Sequence, residues 1–297
     1  MVKNNSKIKI IFLSIFKKVK KIFAKKGLTR FKLVRKIYDG VYLLLKPKEK
    51  IVSVVDEGNI FYIDTSDLGF GRFFLLSEKY EPFTTEIFKK ELKGKVVFVD
   101  IGAHWGHYTL IGAKLVGKQG KVFAFEPHPD NYSLLCKNIK ANKLSNILPI
   151  QKAVTDKSGK IKLFYDNFNS VTPTLYYPGK NRFLEVEAIS LDDFFKDKEI
   201  RIDVIKMDIE GGEPNVLEGM KEILKGNKKI KIFTEFNPKL LTMAGFSPRD
   251  FFKKFLELGF IIFNIDEDKK KLSPTATEEL LKKYKGESYT NLLAIRE

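Results

Sequence analysis

Two glycines and two acidic residues stand where apolar segments of the chain end. The stretch DIGAHWG runs from Asp100 through Gly102 to Gly106, and the next apolar segment ends at Glu126, 20 residues later. Glycines in such a turn allow a close approach of backbone to a ligand, which a side chain would block. An acidic residue at the end of the following strand is placed to hydrogen-bond the hydroxyls of a ribose. The pattern predicts a nucleoside-binding turn.

The spacing of these residues argues against a nicotinamide or flavin site. Such sites use G-x-G-x-x-G, which seats a pyrophosphate on a helix N-terminus. Here the glycines are spaced G-x-x-x-G, and Asp100 lies two residues before the first of them. A carboxylate at that point repels a pyrophosphate but suits a cationic or amino-acid ligand. S-adenosylmethionine carries an ammonium, a sulfonium and a ribose, and it is therefore the cofactor we predict.

The apolar segments that must position these residues predict an α/β fold. From residue 95 onward, short apolar strands alternate with amphipathic helices, and a polar, strand-rich insertion covers about residues 157–190. This alternation indicates a mostly parallel sheet covered on both faces, and we expect seven strands with an antiparallel pair at one edge. Ligands of such sheets bind outside the carboxyl ends of the strands.

The chain divides into three predicted parts. Residues 1–50 form a basic amphipathic helical arm, residues 51–94 form a hairpin and a helix on the substrate side, and residues 95–297 form the cofactor-binding catalytic domain. The net charge of +17 resides mostly in the arm, because residues 1–50 alone carry +14. A near-neutral body is not expected to bind nucleic acid.

The basic arm is predicted to bind a partner other than the acceptor. An apolar face with lysines opposite it, over residues 7–26, fits an anionic membrane surface. Docking on the protein itself or on a second subunit, and a contact with RNA, are the alternatives. Cys136 is the single cysteine, which favours a cytoplasmic location, and the arm adds the alternative of association with a membrane. No apolar run is long enough to span a bilayer. The oligomeric state stays open.

Several motifs in order resemble one known family. VDIGAHWGHYTL, FAFEPHP and IKMDIEGGEPNVLEGM, with YEPFTTEIFKKEL upstream and QKAVTDKSG and ISLDDF between them, are similar to the FkbM-type S-adenosylmethionine-dependent O-methyltransferases. The likeness covers about residues 75–240. It implies a class I methyltransferase (Rossmann-like) fold. The cofactor contacts that it implies are Asp100, Gly102, Ala103, His104, Gly106, Glu126 and Asp208.

The resemblance also implies where the methyl group is transferred. Asp208 would lie beside it, with Glu210 and Glu213 close by. Two positions depart from the family pattern, since His104 stands where members usually have asparagine and Gly212 stands where they usually have an aromatic or similar residue. The first departure changes cofactor contacts, and the second would open room for the acceptor.

Methyl transfer to a hydroxyl needs a group that removes a proton, because a sugar hydroxyl is a very weak acid. The catalytic residues we predict are Asp208, Glu210, Glu235 and His107. The alternative role for Asp208 is to cap the helix that follows, and the alternative role for Glu210 and Glu213 is to stabilise the N-terminus of that helix. His-x-x-His without a cysteine does not make a zinc site. We predict no metal, with a divalent ion at Asp208 and Glu210 as the alternative.

These residues predict an O-methyltransferase acting on a hydroxyl of a sugar, glycolipid or secondary metabolite, hence a small-molecule or glycan acceptor. An RNA methyltransferase that uses the basic arm is one alternative. Against it, the fourth strand of the domain ends in DIEG and not in the Asn/Asp-Pro-Pro-aromatic motif. A non-catalytic binding protein on the same fold is the other alternative.

Overall fold

Helices and strands alternate along the part of the chain that the computed structural model describes, which is residues 32–76, 79–92, 94, 96–166, 169–174, 182–286 and 288–296. The strands are β1 Ile51–Asp56, β2 Asn59–Asp64, β3 Val97–Ile101, β4 Lys121–Phe125, β5 Ile147–Ile150, β6 Ala153–Val154, β7 Gly159–Asp166, β8 Asn169–Thr174, β9 Phe183–Ile189, β10 Val204–Met207, β11 Lys231–Phe236, β12 Ile261–Asp266, β13 Lys271–Pro274 and β14 Thr290–Ile295. The helices are α1 Lys32–Leu45, α2 Phe70–Leu76, α3 Pro82–Glu91, α4 His107–Val116, α5 Pro129–Ala141, α6 Leu191–Phe195, α7 Glu213–Glu218, α8 Lys221–Gly226, α9 Pro238–Met243, α10 Pro248–Glu257 and α11 Thr277–Lys283. The arm segment predicted over residues 7–26 lies outside the described residues.

The central sheet has the strand order β13-β12-β14-β11-β10-β3-β4-β5. The five strands from β11 to β5 are parallel, whereas β14 runs antiparallel to both β11 and β12. This confirms the predicted α/β fold with its antiparallel edge. The sheet has eight strands where seven were expected, because β13 folds back along β12. Its sequence, KLSP, is too short and polar to show an apolar strand pattern.

The parallel strands are mostly apolar because helices cover both faces of the sheet. All four residues of β10 are buried, as is typical of a central parallel strand. On one face α10 buries Phe251, Phe252 and Phe255, and on the other face α3 and α4 bury Phe88 and Ile111. Each such side chain contributes about 1.5–3 kcal/mol when it leaves water. The carboxyl ends of β3, β4, β10 and β11 are thereby held in a row.

The polar insertion forms a separate small sheet. Its strand order is β6-β9-β7-β8, in which β6 pairs in parallel with β9 and the other pairs are antiparallel. β6 follows β5 directly, so this sheet begins beside the carboxyl end of the central sheet. Ala153, Leu163, Val186 and Ala188 form its apolar core.

The predicted N-terminal hairpin, β1 and β2, packs on α5. Two asparagines one turn apart, Asn138 on that helix and Asn142 at its C-cap, bind the backbone of β2 in place of a neighbouring strand. Asn138 accepts a hydrogen bond from the Tyr62 amide at 2.6 Å and donates one to the Tyr62 carbonyl at 3.1 Å. Asn142 makes the same pair of contacts with Ile60, at 3.0 and 2.7 Å. The hairpin is therefore fixed to the helix that follows β4.

Among the described residues, none of the helices combines the length and the apolar character needed to cross a bilayer.

Candidate active site

The turn between β3 and α4 is built around two glycines with left-handed backbone. Gly102 has φ +78°, and a Cβ atom at this position would lie 2.1 Å from the backbone oxygen of Asp208. Gly106 has φ +96°, and a Cβ atom there would lie 2.7 Å from Leu135 Cδ1. A larger residue at position 102 would push apart the loops after β3 and β10, and one at position 106 would press against α5. The turn therefore requires glycine for its backbone and for its packing.

His104 also lies in the left-handed region, with φ +51°. Among residues other than glycine, asparagine, aspartate and histidine adopt this conformation most readily. The family's usual asparagine and the histidine of this chain thus meet the same backbone demand. The His104 ring lies edge-on to Phe70, with ring centres 4.4 Å apart, and its backbone N–H donates to Glu126 Oε2 at 2.8 Å.

Glu126 ties the ends of β3 and β4 together. It is buried, and its second oxygen accepts a hydrogen bond from the His128 amide at 2.9 Å. Burial raises the pKa of its carboxyl to about 7, although the two backbone amides oppose that shift. A carboxylate held in this way can accept hydrogen bonds from a diol at the carboxyl end of β4.

Asp100 is the second buried acid of the turn. Its Oδ2 accepts a hydrogen bond from the Thr109 hydroxyl at 2.5 Å. Burial raises its pKa to about 6, and the Thr109 hydroxyl opposes this. Ionising the buried Asp100 carboxyl costs desolvation free energy. A bound cationic ligand would offset that cost.

A cavity of about 260 Å³ opens at the carboxyl ends of these strands. The predicted site residues that line it are Asp100, Gly102, Ala103, His104, His107, Glu126, Asp208, Glu210 and Glu235. Gly106 and Glu213 are not among its lining residues. Gly106 instead starts α4, and Glu213 accepts long hydrogen bonds of 3.4 Å from the amides of Ile209 and Gly211. Burial raises the pKa of Glu213 to about 7.

Asp208 and Glu235 stand side by side at the ends of neighbouring strands. Met207 on β10 pairs with Thr234 on β11, and the two acids are the next residues in each strand. Asp208 Oδ2 lies 3.0 Å from Lys206 Nζ, whereas Glu235 accepts a hydrogen bond from the Asn237 amide at 3.3 Å. Burial, followed by the charge of Asp208, raises the pKa of Glu235 well above its usual value.

His107 is held by a residue of the N-terminal hairpin. Its Nδ1 lies 2.5 Å from Asp56 Oδ2, and both side chains are buried. Its Nε2 is buried without a hydrogen-bond partner among the described residues. Such a carboxylate fixes the orientation of an imidazole and leaves one ring nitrogen for a ligand or a proton.

Sequence reasoning missed several residues of this site. Tyr80 and Tyr289 line the cavity, Lys206 pairs with Asp208, and Asp56 pairs with His107. Three of them belong to segments whose position depends on tertiary packing, so local patterns do not place them. Lys206 did leave a signal, since a lysine inside the apolar strand DVIKMDI must find a partner once it is buried.

Within the parts of the chain that the structure describes, no group of three or more His, Cys, Asp or Glu side chains is arranged to hold a metal ion. At Asp208, the position that a cation would take is filled by the Lys206 ammonium.

The sheet order, the glycine turn and the acids at the ends of β3, β4 and β10 define a class I S-adenosylmethionine-dependent methyltransferase. Residues 100–262 match the model of the Methyltransferase FkbM domain. This match covers more than half of the chain, and the protein belongs to the FkbM methyltransferase family. Its cofactor is S-adenosylmethionine, which the close-approach glycines and the acidic lining fit.

The chain is similar to two curated methyltransferases. It is 26% identical over 149 residues to Hexuronic acid methyltransferase AglP of Haloferax volcanii, a match of 49% of this chain and 59% of that protein. It is 30% identical over 156 residues to Methyltransferase sdnD of Sordaria araneosa, a match of 42% of this chain and 60% of that protein. The chain thus spans about three fifths of the length of these relatives.

A solved FkbM methyltransferase from Methylobacillus flagellatus KT is also similar. The two share 15% sequence identity and superpose with a TM-score of 0.43, over 75% of this chain and 52% of that one.

Proposed function

We propose that the protein is an O-methyltransferase that methylates a hydroxyl of an uncharged acceptor, which is a sugar, a glycolipid or a secondary metabolite. The observation that carries this proposal is the group of carboxylates that lines the cavity beyond the glycine turn. Asp208, Glu210 and Glu235 all line it, and Asn237, Tyr80 and Tyr289 lie with them. Carboxylates and an amide are suited to accept hydrogen bonds from several hydroxyls, and aromatic rings suit the apolar faces of a sugar.

In this proposal the two ends of the cavity have different tasks. S-adenosylmethionine, when bound, supplies an electrophilic methyl group. Glu126 would accept hydrogen bonds from its ribose, and Asp100, with the backbone of Gly102, Ala103 and His104, would hold its amino-acid end. Gly106 keeps the turn in place. Asp208 presents negative charge beside the methyl group.

Glu235 is the residue that we assign to proton removal. Burial and the neighbouring charge of Asp208 raise its pKa, and a carboxylate with a raised pKa is a stronger base than an exposed one. Its neighbour Asn237 donates to one carboxylate oxygen, Oε1, and so orients the group. The other oxygen can then accept the proton of the acceptor hydroxyl, with Glu210 holding a second hydroxyl of the same acceptor.

His107 is the alternative proton acceptor in this scheme. Asp56 fixes its ring, the ring lines the cavity, and Nε2 is the nitrogen available to a bound group.

The charges of the lining favour a neutral acceptor over an acidic one. The cavity is lined by two lysines, and each is already paired, Lys206 with Asp208 and Lys152 with Glu187. A carboxylate acceptor would therefore meet Asp208, Glu210 and Glu235 without a compensating cation from the described lining. The protein differs in this from what the name of the Haloferax volcanii relative says of that enzyme, which acts on a hexuronic acid.

The proposed function predicts the chemical form of the product. Supplied with methyl-labelled S-adenosylmethionine and fractionated cell extract, the enzyme should label lipid or glycan fractions as methyl ethers. These survive mild alkali, whereas methyl esters release methanol. Methyl glucoside and methyl glucuronoside form the matched pair of simple acceptors, and we expect label in the first. Alkali-labile label, or label that ribonuclease releases, would contradict the proposal.

The arm supports a location at a membrane surface on the cytoplasmic side. Residues 1–50 carry a net charge of +14, and each lysine near an anionic surface contributes about 1 kcal/mol to binding. The lone Cys136 fits a reducing compartment. We therefore propose that residues 7–26 bring the catalytic domain to anionic lipids, where a glycolipid acceptor would lie.

This location is tested by reversing charge in the full-length protein. Changing Lys17, Lys20 and Lys21 to glutamate should lower the fraction that sediments with phosphatidylserine-containing vesicles about tenfold or more. The matched control reverses three exposed lysines of the body: Lys225, Lys253 and Lys285. Equal sedimentation of both triple variants would rule out the arm as the membrane contact.

A further inference from the structure

Tyr289 is an aromatic side chain at the mouth of the cavity. It lines the cavity, and 54% of it is exposed. The Tyr80 ring, which lines the same cavity, is covered by the rings of Phe70, Phe74 and His107. The Tyr289 ring, in contrast, packs against none of the aromatic rings that the structure describes. A face of this ring is therefore open to a molecule that enters the cavity.

The backbone on both sides of Tyr289 is held in place by side-chain hydrogen bonds. Ser288 Oγ accepts from the Lys285 amide and donates to the Lys285 carbonyl, each at 2.7 Å. Thr290, the first residue of β14, donates from its hydroxyl to Asn264 Oδ1 at 2.9 Å. An aromatic ring on a fixed backbone loses little conformational freedom when a ligand packs on it.

The register of β11 and β14 places polar groups beside this ring. Glu235 on β11 is paired with Asn291 on β14. Asn237 lies two residues after Glu235, and Tyr289 lies two residues before Asn291. Paired residues of antiparallel strands share one face of the sheet, and so do residues two apart along a strand. Glu235, Asn237 and Tyr289 are therefore neighbours on one face, and all three line the cavity.

The two polar side chains offer both a donor and an acceptor of hydrogen bonds. Asn237 Oδ1 accepts from the Leu240 amide at 3.3 Å, and Asn237 Nδ2 donates to Glu235 Oε1 at 3.3 Å. An amide nitrogen carries two hydrogens, so the second can reach an oxygen of a ligand. Glu235 has a second oxygen, Oε2, that can accept from a hydroxyl. This arrangement matches a molecule with C–H groups on its face and hydroxyls on its edge.

We propose that Tyr289 is the platform on which a pyranose ring of the acceptor stacks, so that the acceptor is a sugar. The C–H bonds of a pyranose carry a small positive charge, and they are attracted to the electron-rich face of the phenol ring. The hydroxyls on the edge of the sugar then reach Glu235 and Asn237. Because Tyr289 lies at the mouth of the cavity, the remainder of a larger acceptor can extend into solvent. The inference rests on the proposed function for the methylation of this sugar, and it excludes acceptors without a sugar ring.

Saturation-transfer NMR tests the platform without any methyl transfer. The probes are methyl β-glucoside, methyl β-galactoside and methyl α-mannoside, each added to the full chain with S-adenosylhomocysteine. We expect at least one of them to bind, and the hydrogens on one face of its ring to receive more saturation than those on the other. Tyr289→Leu should lower the saturation of that face about fivefold, because it removes the aromatic contact. Tyr289→Phe keeps the ring and should keep the pattern.

Kinetics give a second readout that separates binding from chemistry. With a methylated glycoside as the acceptor, Tyr289→Leu should raise KM about tenfold and leave kcat within about threefold, since the ring binds the sugar but does not take its proton. The matched control is Phe183→Leu, which removes an exposed aromatic ring of β9 that does not line the cavity. It should change neither constant.

The inference is overturned if none of the three glycosides binds, if both faces of the bound ring are saturated equally, or if Tyr289→Leu leaves the pattern unchanged. Methylation of a flat phenol such as catechol, without methylation of any glycoside, would also overturn it and would leave the proposed transfer to a hydroxyl intact. Glycosides that bind at Tyr289 and are never methylated would have the opposite meaning. The sugar platform would then stand, and the proposed function would fail.

Discussion

Replacing Glu126 with alanine is expected to weaken the binding of S-adenosylmethionine by about 100-fold or more. The change removes the proposed acceptor for the ribose hydroxyls, and it also leaves the amides of His104 and His128 without their carboxylate partner. Each buried polar group left unsatisfied costs about 1–3 kcal/mol. Titration calorimetry of the purified protein with the cofactor measures the loss directly.

A matched variant and a pH series sharpen this test. Glu257→Ala, an exposed carboxylate on α10, should bind the cofactor as the wild type does. Because burial raises the pKa of Glu126 to about 7, the ionised form that accepts from a diol is lost as the pH falls below 7. The wild-type affinity should then drop by up to tenfold per pH unit. A Glu126→Ala protein with unchanged affinity would refute the assignment.

Glu235→Gln is expected to lower kcat by about 100-fold to 10,000-fold while the dissociation constant for S-adenosylmethionine stays within about twofold. Glutamine keeps the shape of the side chain and the contact with Asn237, but it cannot take up the proton of the acceptor. Steady-state transfer of labelled methyl groups to a neutral acceptor gives kcat, and calorimetry gives the cofactor affinity.

The control for this second prediction is Glu278→Gln. It removes an exposed carboxylate that pairs with Arg249 and does not line the cavity. It should keep full activity. Should Glu235→Gln retain more than about half of the wild-type kcat while His107→Asn loses it, proton removal belongs to His107, held by Asp56, and the assignment of Glu235 is wrong.

The parts of the fold that sequence could predict are those set by local rules. The apolar strands, the hairpin at EGN and the glycine turn follow from periodicity and from backbone conformation, and all are present in the structure. The glycine turn and the acids at the strand ends could be located because parallel strands of this kind of sheet end at one edge.

The rest of the site depends on which distant segments meet. Tyr289 reaches the cavity from the loop before β14, and Asp56 reaches His107 from the far end of a hairpin, 51 residues earlier in the chain. Neither lies in a motif, and no local spacing marks them. The eighth strand was missed because KLSP carries no apolar alternation, and it is defined only by its pairing with β12.

The hairpin limits where the protein can be truncated and how its domains can be exchanged with those of relatives. Phe61, Phe70 and Phe74, which precede the first residue of the family match, share one buried cluster with Trp105 in the glycine turn between β3 and α4. A fragment that began at residue 95 would lack these phenylalanines. The Trp105 indole would then be exposed, and the His104 ring would lose its contact with Phe70. When catalytic domains are exchanged between relatives, the hairpin and α2 should therefore be transferred together with the turn. Only then does the turn keep its shape.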